Sequence, residues 1–468
     1  MRNCMGILKR FAGALAFFAD ALMILGGGLA MCGCGTASSS LKGVKAEVLD
    51  SGFIYREAPF PSCHASTIVQ IPGSGQPSAA GLLAAWFGGS HEGAKDVCIY
   101  AARCIGGKWG EPFKVADCFD GKANAGSGAL RDSLPCWNPV LYRNSAGIVA
   151  LFYKVGPNPR EWKGYMKVSP DEGVSWTQEY ALPEGFLGPI KDKPTAVAGR
   201  ILCPSSVEAV GQEVAGGVAA PMGQERTAGS ADGKPVWKVH LETCDDSFGD
   251  WRRVEVDNAG FSAIQPCLLT YPDGSMQMLC RTRDSVIVQT RSRDGGVTWS
   301  PLTRTALPNN NSGIDAVTCK VISTGGGKRV GRKSVDDAGS FDGSRTGGGK
   351  RWLQVLVYNP TVKKSGVDDG RNKLAVAVSY DGVEWRRIMM LEDGPVGSEF
   401  SYPAVICEES GGDSVGESGG DSFCDAGGET DDDVGGVKAG EGAAVLDITY
   451  TYDRKRIKFV RLRMRVGE

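Results

Sequence analysis

The chain carries only three histidines in 468 residues, His64, His91 and His240. An imidazole changes charge near neutral pH and can move a proton. His64, in CHAST, is of the type that donates to a substrate oxygen or takes part in proton transfer. His91 opens HEGAKDV, a turn-forming stretch that also holds the carboxylates Glu92 and Asp96. His91, His240 and Glu242 are metal-ligand types, but their spacing does not imply convergence, and no metal or other cofactor is expected. Further polar clusters stand among tryptophans and prolines: Asp132, Trp137 and Asn138 in DSLPCWNPV, and Lys154 and Arg160 in YKVGPNPREWKG. Two more are Lys191 and Lys193 in GPIKDKP, and Asn309, Asn311 and Asp315 in PNNNSGIDAV. Such clusters read as a sugar-binding rim, with rings to stack on apolar sugar faces and lysines suited to an acidic carbohydrate. Ordinary solvated loops are the alternative for each.

These residues need a scaffold. The body of the chain is a series of short apolar, β-branched or aromatic runs, such as HASTIVQI, GLLAAWFGG, IVALFYKV, VIVQTRS and LAVAVS. Gly, Ser, Asp and Pro turns separate them, and no convincing three-turn helix pattern appears. That is the signature of an all-β fold. One turn recurs. SPDEGVSW ends at Trp176 and SRDGGVTW at Trp299, and both fit S-x-D-x-G-x-[ST]-W. SYDGVEW, ending at Trp385, is one residue shorter. CDDSFGDW, ending at Trp251, keeps the acid, glycine and tryptophan, and RCIGGKW, ending at Trp109, only the glycines and tryptophan. Asp and Gly suit a tight turn, and the tryptophan anchors its base. A unit of about 45–55 residues, four strands and their turns, is one propeller blade.

Size and composition set outer bounds. The length allows a large core. A net charge of −2 and the absence of a long basic run argue against a nucleic-acid partner. Fifteen scattered cysteines without CxxC spacing read as buried small hydrophobes. Residues 1–36 carry a basic start and an apolar centre, as a secretory or organellar targeting segment does. The protein is expected to be secreted or organellar if that segment is a signal, and cytoplasmic otherwise. No later run is apolar enough to span a bilayer. Residues 37–54 read as a linker and 55–468 as a single domain and a monomer. Gly-, Ser- and acid-rich insertions lie near 208–235, 323–350 and 408–442.

The repeated turn resembles the Asp box of the sialidase-like β-propellers, and the resemblance spans roughly residues 55–462. PSCHAST, AWFGGSHEG, CWNPVL, GPIKDKP, LCPSS, PNNNSGIDAV and EFSYPAV are similar to the exo-sialidase branch. The resemblance implies a six-bladed propeller with the Asp boxes on its outer edge. It also implies a clamp of three arginines for a substrate carboxylate, a tyrosine nucleophile assisted by a glutamate, and an aspartate acid/base. The nucleophile pattern falls on Tyr402 in SYPAV. The acid/base pattern falls on Asp96, with Glu92 competing. Arg283 in LCRTRD and Arg371 fit two clamp positions, with Arg281 as a close alternative to Arg283.

Two positions depart from the pattern. His64 stands where the first arginine belongs. Ala263 and Gln265 occupy the region of the glutamate, with Glu399 and Glu242 as the carboxylates that could substitute. The resemblance therefore implies retaining hydrolysis of a terminal acidic sugar. Tyr402, Asp96, Glu92 and His64 are the catalytic candidates. Arg283, Arg281, Arg371, His91, Glu399, Asn138, Lys154, Lys191 and Asp315 are the substrate-contacting candidates. The departures favour two alternatives: a non-catalytic glycan-binding propeller, or a lyase or hydrolase acting on a uronic acid or another non-sialic glycan.

Overall fold

The computed structural model describes residues 41–72, 81–117, 134–209, 236–323, 350–363, 370–408 and 442–466. The expected targeting segment and nearly all of the three expected insertions lie outside the described residues, as does Asp132. The fold is an all-β, six-bladed propeller. The first blade runs outward from Ser62–Ile71 through Gly81–Gly89 and Cys98–Ile105 to the short strands Lys108–Trp109 and Phe113–Ala116. The second runs from Cys136–Arg143 to Tyr180–Ala181, the third from Thr195–Val197 to Arg252–Glu255, and the fourth from Ala263–Thr270 to Thr303–Pro308. The fifth runs from Asp315–Ser323 to Arg386–Asp393.

The sixth blade closes the ring. Its inner three strands, Phe400–Glu408, Gly442–Tyr452 and Arg456–Val466, come from the end of the chain. Its outermost strand is Val44–Phe53, paired antiparallel with Arg456–Val466 from Val44↔Val466 to Phe53↔Lys458. This corrects the reading of 37–54 as a linker. Most of Val44–Phe53 is exposed, because it is an edge strand with one hydrogen-bonded neighbour, and its partner lies some four hundred residues away in sequence. The strand thus joins the two ends of the described chain within one blade. Val44 and Leu41 add to the apolar cluster of the fifth and sixth blades.

The recurring turns sit between the third and fourth strands of successive blades. In the fourth blade Asp294 accepts from Ser292 Oγ (2.7 Å), Val297 N (3.1 Å), and Thr298 N and Oγ1 (2.9 and 2.5 Å). Asp171 binds Ser169 and Ser175 in the same way, and Asp381 binds Ser379, Val383 and Glu384. Trp251, Trp299 and Trp385 each donate their indole N–H to the carbonyl three residues earlier. Each carboxylate thus satisfies the turn's free N–H groups, and each ring covers the blade beneath it. No helix among the described residues is long and apolar enough to cross a membrane.

The innermost strands matter most for function. Four of them carry the same irregularity, a register break with one residue at positive φ: Ala65 (57°), Asn138 (30°), Gln265 (52°) and Tyr402 (54°). Three of the four precede proline, at Pro139, Pro266 and Pro403. A bulge of this kind re-aims a side chain, and here it does so around one axis. Removing residues 41–53 should therefore leave the sixth blade open. We expect a loss of cooperative thermal unfolding or a fall in midpoint of many degrees by calorimetry. A variant that melts like the intact protein would show that the ring does not need its closing strand.

Candidate active site

Tyr402 sits on the innermost strand of the sixth blade, buried and at φ 54°. A bulky residue there is strained by about 1–3 kcal/mol, so the surroundings must hold it. Arg281 Nη1 donates to its phenol oxygen at 3.0 Å and Gln265 Nε2 at 3.3 Å. The His64 ring packs on the Tyr402 ring with centroids 4.0 Å apart, and the Arg281 guanidinium lies 5.5 Å from the ring centre. Four innermost or second strands, from the first, fourth and sixth blades, thus converge on one phenol.

Around this core lies a concentration of positive charge. Arg371 Nη1 pairs with Glu399 Oε1 at 2.7 Å, and Arg454 Nε pairs with the same oxygen at 2.8 Å. Arg454 Nη1 reaches Glu92 Oε2 at 2.6 Å. Burial works to raise the Glu399 carboxyl, but Arg371, Arg454 and the Ser401 hydroxyl outweigh it and hold it below the usual range. Burial works to lower Arg454, and Glu399 and Glu92 outweigh that, so it stays charged. The position expected to carry the first clamp arginine is His64, and Arg454 supplies a guanidinium beside it. Its carbonyl accepts from Cys63 N at 2.7 Å, and its charge acts on the imidazole.

The sequence signal for Arg454 was a turn, not a strand end. Asp453 and Arg454 both have positive φ in the tight connection after Tyr452. Asp453 docks that turn on Glu399 through two hydrogen bonds, Asp453 N to Glu399 O (2.7 Å) and Glu399 N to Asp453 Oδ1 (2.8 Å).

His64 is buried, and Nδ1 lies 2.9 Å from Thr451 Oγ1. Its Nε2 is buried with no hydrogen-bond partner among the described residues. Burial first, then the charges of Arg454, Arg371, Arg281 and Lys191, hold its pKa well below 6.5. The imidazole is therefore neutral in the folded protein at neutral pH.

Other candidates stand elsewhere. Arg283 stacks on the Trp237 ring at 3.8 Å, so Arg281 is the member of that pair that meets Tyr402. Asp96 is exposed and accepts from Ser90 N and Oγ. Chiefly through that hydroxyl, its carboxyl is held below the usual range. His91 and Glu92 are exposed on the same loop. Asn138 is buried at the bulge equivalent to that of Tyr402 in the second blade. His240 and Glu242 are both buried and bonded to each other at 2.9 Å. Glu242 also accepts from Leu187 N, Gly188 N and Ser205 Oγ. That carboxylate is saturated and does not reach Tyr402 as an assistant would.

Lys154, Lys191 and Asp315, expected on a sugar-binding rim, are instead buried. Lys154 donates to the carbonyls of Asn138, Pro189 and Ile190. Burial pushes it down to about 7, with Glu242 opposing, and these three contacts are all to carbonyl acceptors. Asp315 accepts both contacts of Lys193 Nζ at 2.9 Å and Val405 N at 2.8 Å. Asp192, Cys267 and Asp315 place ligand atoms within 4.8 Å of one another. Lys191 and Lys193 already pair with the two carboxylates, so the donor set is poor for a cation and we assign no metal.

The state of His64 has a thermodynamic consequence. Below pH 6.5 the unfolded chain binds a proton at His64 that the native site refuses. Its contribution is therefore present above pH 6.5 and is lost as pH falls from there toward the depressed native value, with a slope of at most about 1.4 kcal/mol per pH unit. Denaturant midpoints measured against pH should fall less steeply below pH 6.5 for His64→Gln than for the wild type. Parallel curves would mean that His64 is protonated in the folded state.

The family description "BNR repeat-like domain" matches residues 80–323 and 337–415. The chain is 25% identical over 248 residues to an anhydrosialidase of Macrobdella decora, an alignment covering 50% of this chain and 28% of that protein. It thus spans less than a third of that relative's length. Among solved structures it is similar to a protein of unknown function from Dyadobacter fermentans, at 13% identity and TM-score 0.53, covering 89% of this chain and 98% of that one. It is also similar to a variant of the NanB sialidase of Streptococcus pneumoniae, at 11% identity and TM-score 0.52, covering 89% and 70%. At these identities the structural likeness is one of fold.

Proposed function

The chain belongs to the BNR repeat-like domain family, and from that premise we propose that it is a carbohydrate-active enzyme that takes a terminal acidic sugar. Arg281, Arg371 and Arg454 bind the sugar carboxylate, and Tyr402 reacts at the glycosidic carbon. The observation that carries this reading is the convergence on Tyr402 of a direct Arg281 contact and the nearby Arg371–Glu399–Arg454 network. Guanidinium forks match a planar carboxylate. A phenol attacking beside that carboxylate avoids the repulsion an anionic carboxylate nucleophile would meet. Attack would give a glycosyl–tyrosine intermediate as the glycosidic C–O bond breaks, with the phenol proton passing to the neutral His64 imidazole, and water would then release the sugar with its configuration retained. Asp96 is the acid for the leaving oxygen in this reading. Its bond to Ser90 must loosen for it to carry a proton, and an approaching anionic sugar favours that change. Similarity to an anhydrosialidase supports the substrate class without fixing the sugar.

A second reading has its own observation. Both contacts to the Tyr402 oxygen come from uncharged or cationic donors, Gln265 and Arg281, and the adjacent His64 is neutral. That set suits β-elimination on a uronic acid. Arg281 and Gln265 would offset the carboxylate charge, His64 would take the proton α to it, and Tyr402 would protonate the departing oxygen.

Sialylated, uronic-acid and neutral glycans incubated with the protein, with products followed by mass, test both readings. We expect release of an acidic sugar that has gained water. Tyr402→Phe and Asp96→Asn should each remove most of it while circular dichroism stays native. Arg371→Lys should raise KM more than it lowers kcat. Arg454→Met should weaken binding by about 2 kcal/mol, the low end for truncating one partner of a buried charge pair, because Arg454 is only half-buried. Products that lack the added water and carry an unsaturated ring select elimination. Binding with no product from any glycan contradicts both readings and favours a glycan-binding propeller.

A further inference from the structure

Tyr402 is held at positive φ on a strand that continues through Pro403, and a proline further narrows the conformations open to the residue before it. Pairing with the neighbouring strand flanks the bulge at Ser401↔Thr451 and Ala404↔Thr449. Between those points the backbone is also held from across the axis. Lys191 Nζ donates to the Pro403 carbonyl and to the Ile314 carbonyl, each at 2.7 Å, and to Asp192 Oδ1 at 2.6 Å. Its side chain is 2% exposed, and Nζ lies 5.8 Å from the centre of the Tyr402 ring. Two residues on, Lys193 grips Asp315, and Asp315 Oδ2 accepts from Val405 N. The stretch GPIKDKP of the third blade therefore holds the strand after Tyr402 at two successive points, Pro403 and Val405.

The packing around Lys191 agrees with this role. Gly313 lies against both partners: a Cβ there would stand 2.8 Å from Lys191 Cε and 3.3 Å from Tyr402 Cδ2. A side chain at 313 would separate the lysine stem from the ring. Upstream, Lys154 from the second blade donates to the carbonyls of Pro189 and Ile190, immediately before Lys191. Ammonium-to-carbonyl contacts thus run from the second blade to the third and from the third to the fifth and sixth. All three terminal hydrogens of Lys191 are engaged within the protein, which leaves none for a substrate.

We infer that Lys191 is a positioning residue that fixes the strained Tyr402 bulge from across the propeller axis, rather than a lysine that binds an acidic sugar. The inference rests on Tyr402 being the reacting group only for its effect on turnover, and it can be read without any activity. The chain has 12 tyrosines. With 3-fluorotyrosine incorporated throughout, the fluorine resonance of Tyr402 is assigned by its loss in Tyr402→Phe. Lys191→Met, which keeps the stem and removes the ammonium, should shift or broaden that resonance. Lys167→Met serves as the control, because Lys167 is also buried and donates to a carbonyl, Val115 O at 2.9 Å. It should leave Tyr402 unmoved. A Tyr402 signal unchanged in folded Lys191→Met, or moved equally by Lys167→Met, overturns the inference.

Should Lys191→Met not fold, the wild type decides. With 15N-lysine, the Lys191 ammonium should be protected from exchange and show cross-relaxation to the Tyr402 ring protons. A rapidly exchanging ammonium overturns the inference equally. If the glycan reading holds, Lys191→Met should lower kcat by about 10- to 100-fold, as a reacting group misplaced by about 1 Å does, with KM little changed. A substrate-binding lysine would give the reverse split, which contradicts the inference. If no glycan is turned over, the proposed function fails while the resonance test still stands.

Discussion

A strained backbone at Tyr402 is the constraint on which the rest of the site depends. Its φ of 54° points the phenol at the axis, where it meets Arg281 and Gln265 from the fourth blade and His64 from the first. That geometry persists only because surrounding structure over-determines it. Lysine ammonium groups grip the following carbonyl and, through Asp315, the next amide but one. The closed ring supplies the rest, since these partners come from blades far apart in sequence. The edge strand Val44–Phe53, remote from any chemistry, thus contributes to the site by keeping the sixth blade in place.

Much of the architecture was legible in the sequence because the recurring turn has a local cause. One carboxylate satisfies several turn N–H groups, and one tryptophan covers the blade base. The closing strand was not legible. VKAEVLDSGF is mostly exposed in the fold and lacks a two-sided apolar run, and nothing local announces a partner at the far end of the chain. Tyr402 and Arg371 could be placed from their motifs. Arg454 could not, because it reaches the site from a tight turn that matches no motif.

Lys154 and Lys191 were misread for a related reason. A lysine between Gly and Pro looks solvated in sequence, yet these two are buried against carbonyls. The proline that follows Asn138, Gln265 and Tyr402 is the signal that could have located the ring of inward bulges.

The charges around His64 are the basis for proposing an anionic occupant. Arg281, Arg371, Arg454 and Lys191 all bear on His64, and within the network Glu399 and Glu92 are the carboxylates that answer the arginines. Keeping His64 neutral avoids adding another buried cation to that set. In the proposed reading a sugar carboxylate would add one more anion to this set. A neutral sugar would leave the guanidinium groups as they are, at the cost of whatever hydration they lose.

The proposed recognition of a carboxylate by this cluster can be measured by calorimetric titration with an acidic monosaccharide and with its neutral methyl ester. The ester should bind more weakly by about 2 kcal/mol or more, and Arg454→Met should abolish most of the difference. Equal affinity for acid and ester, or a preference that survives the loss of Arg454, would contradict it.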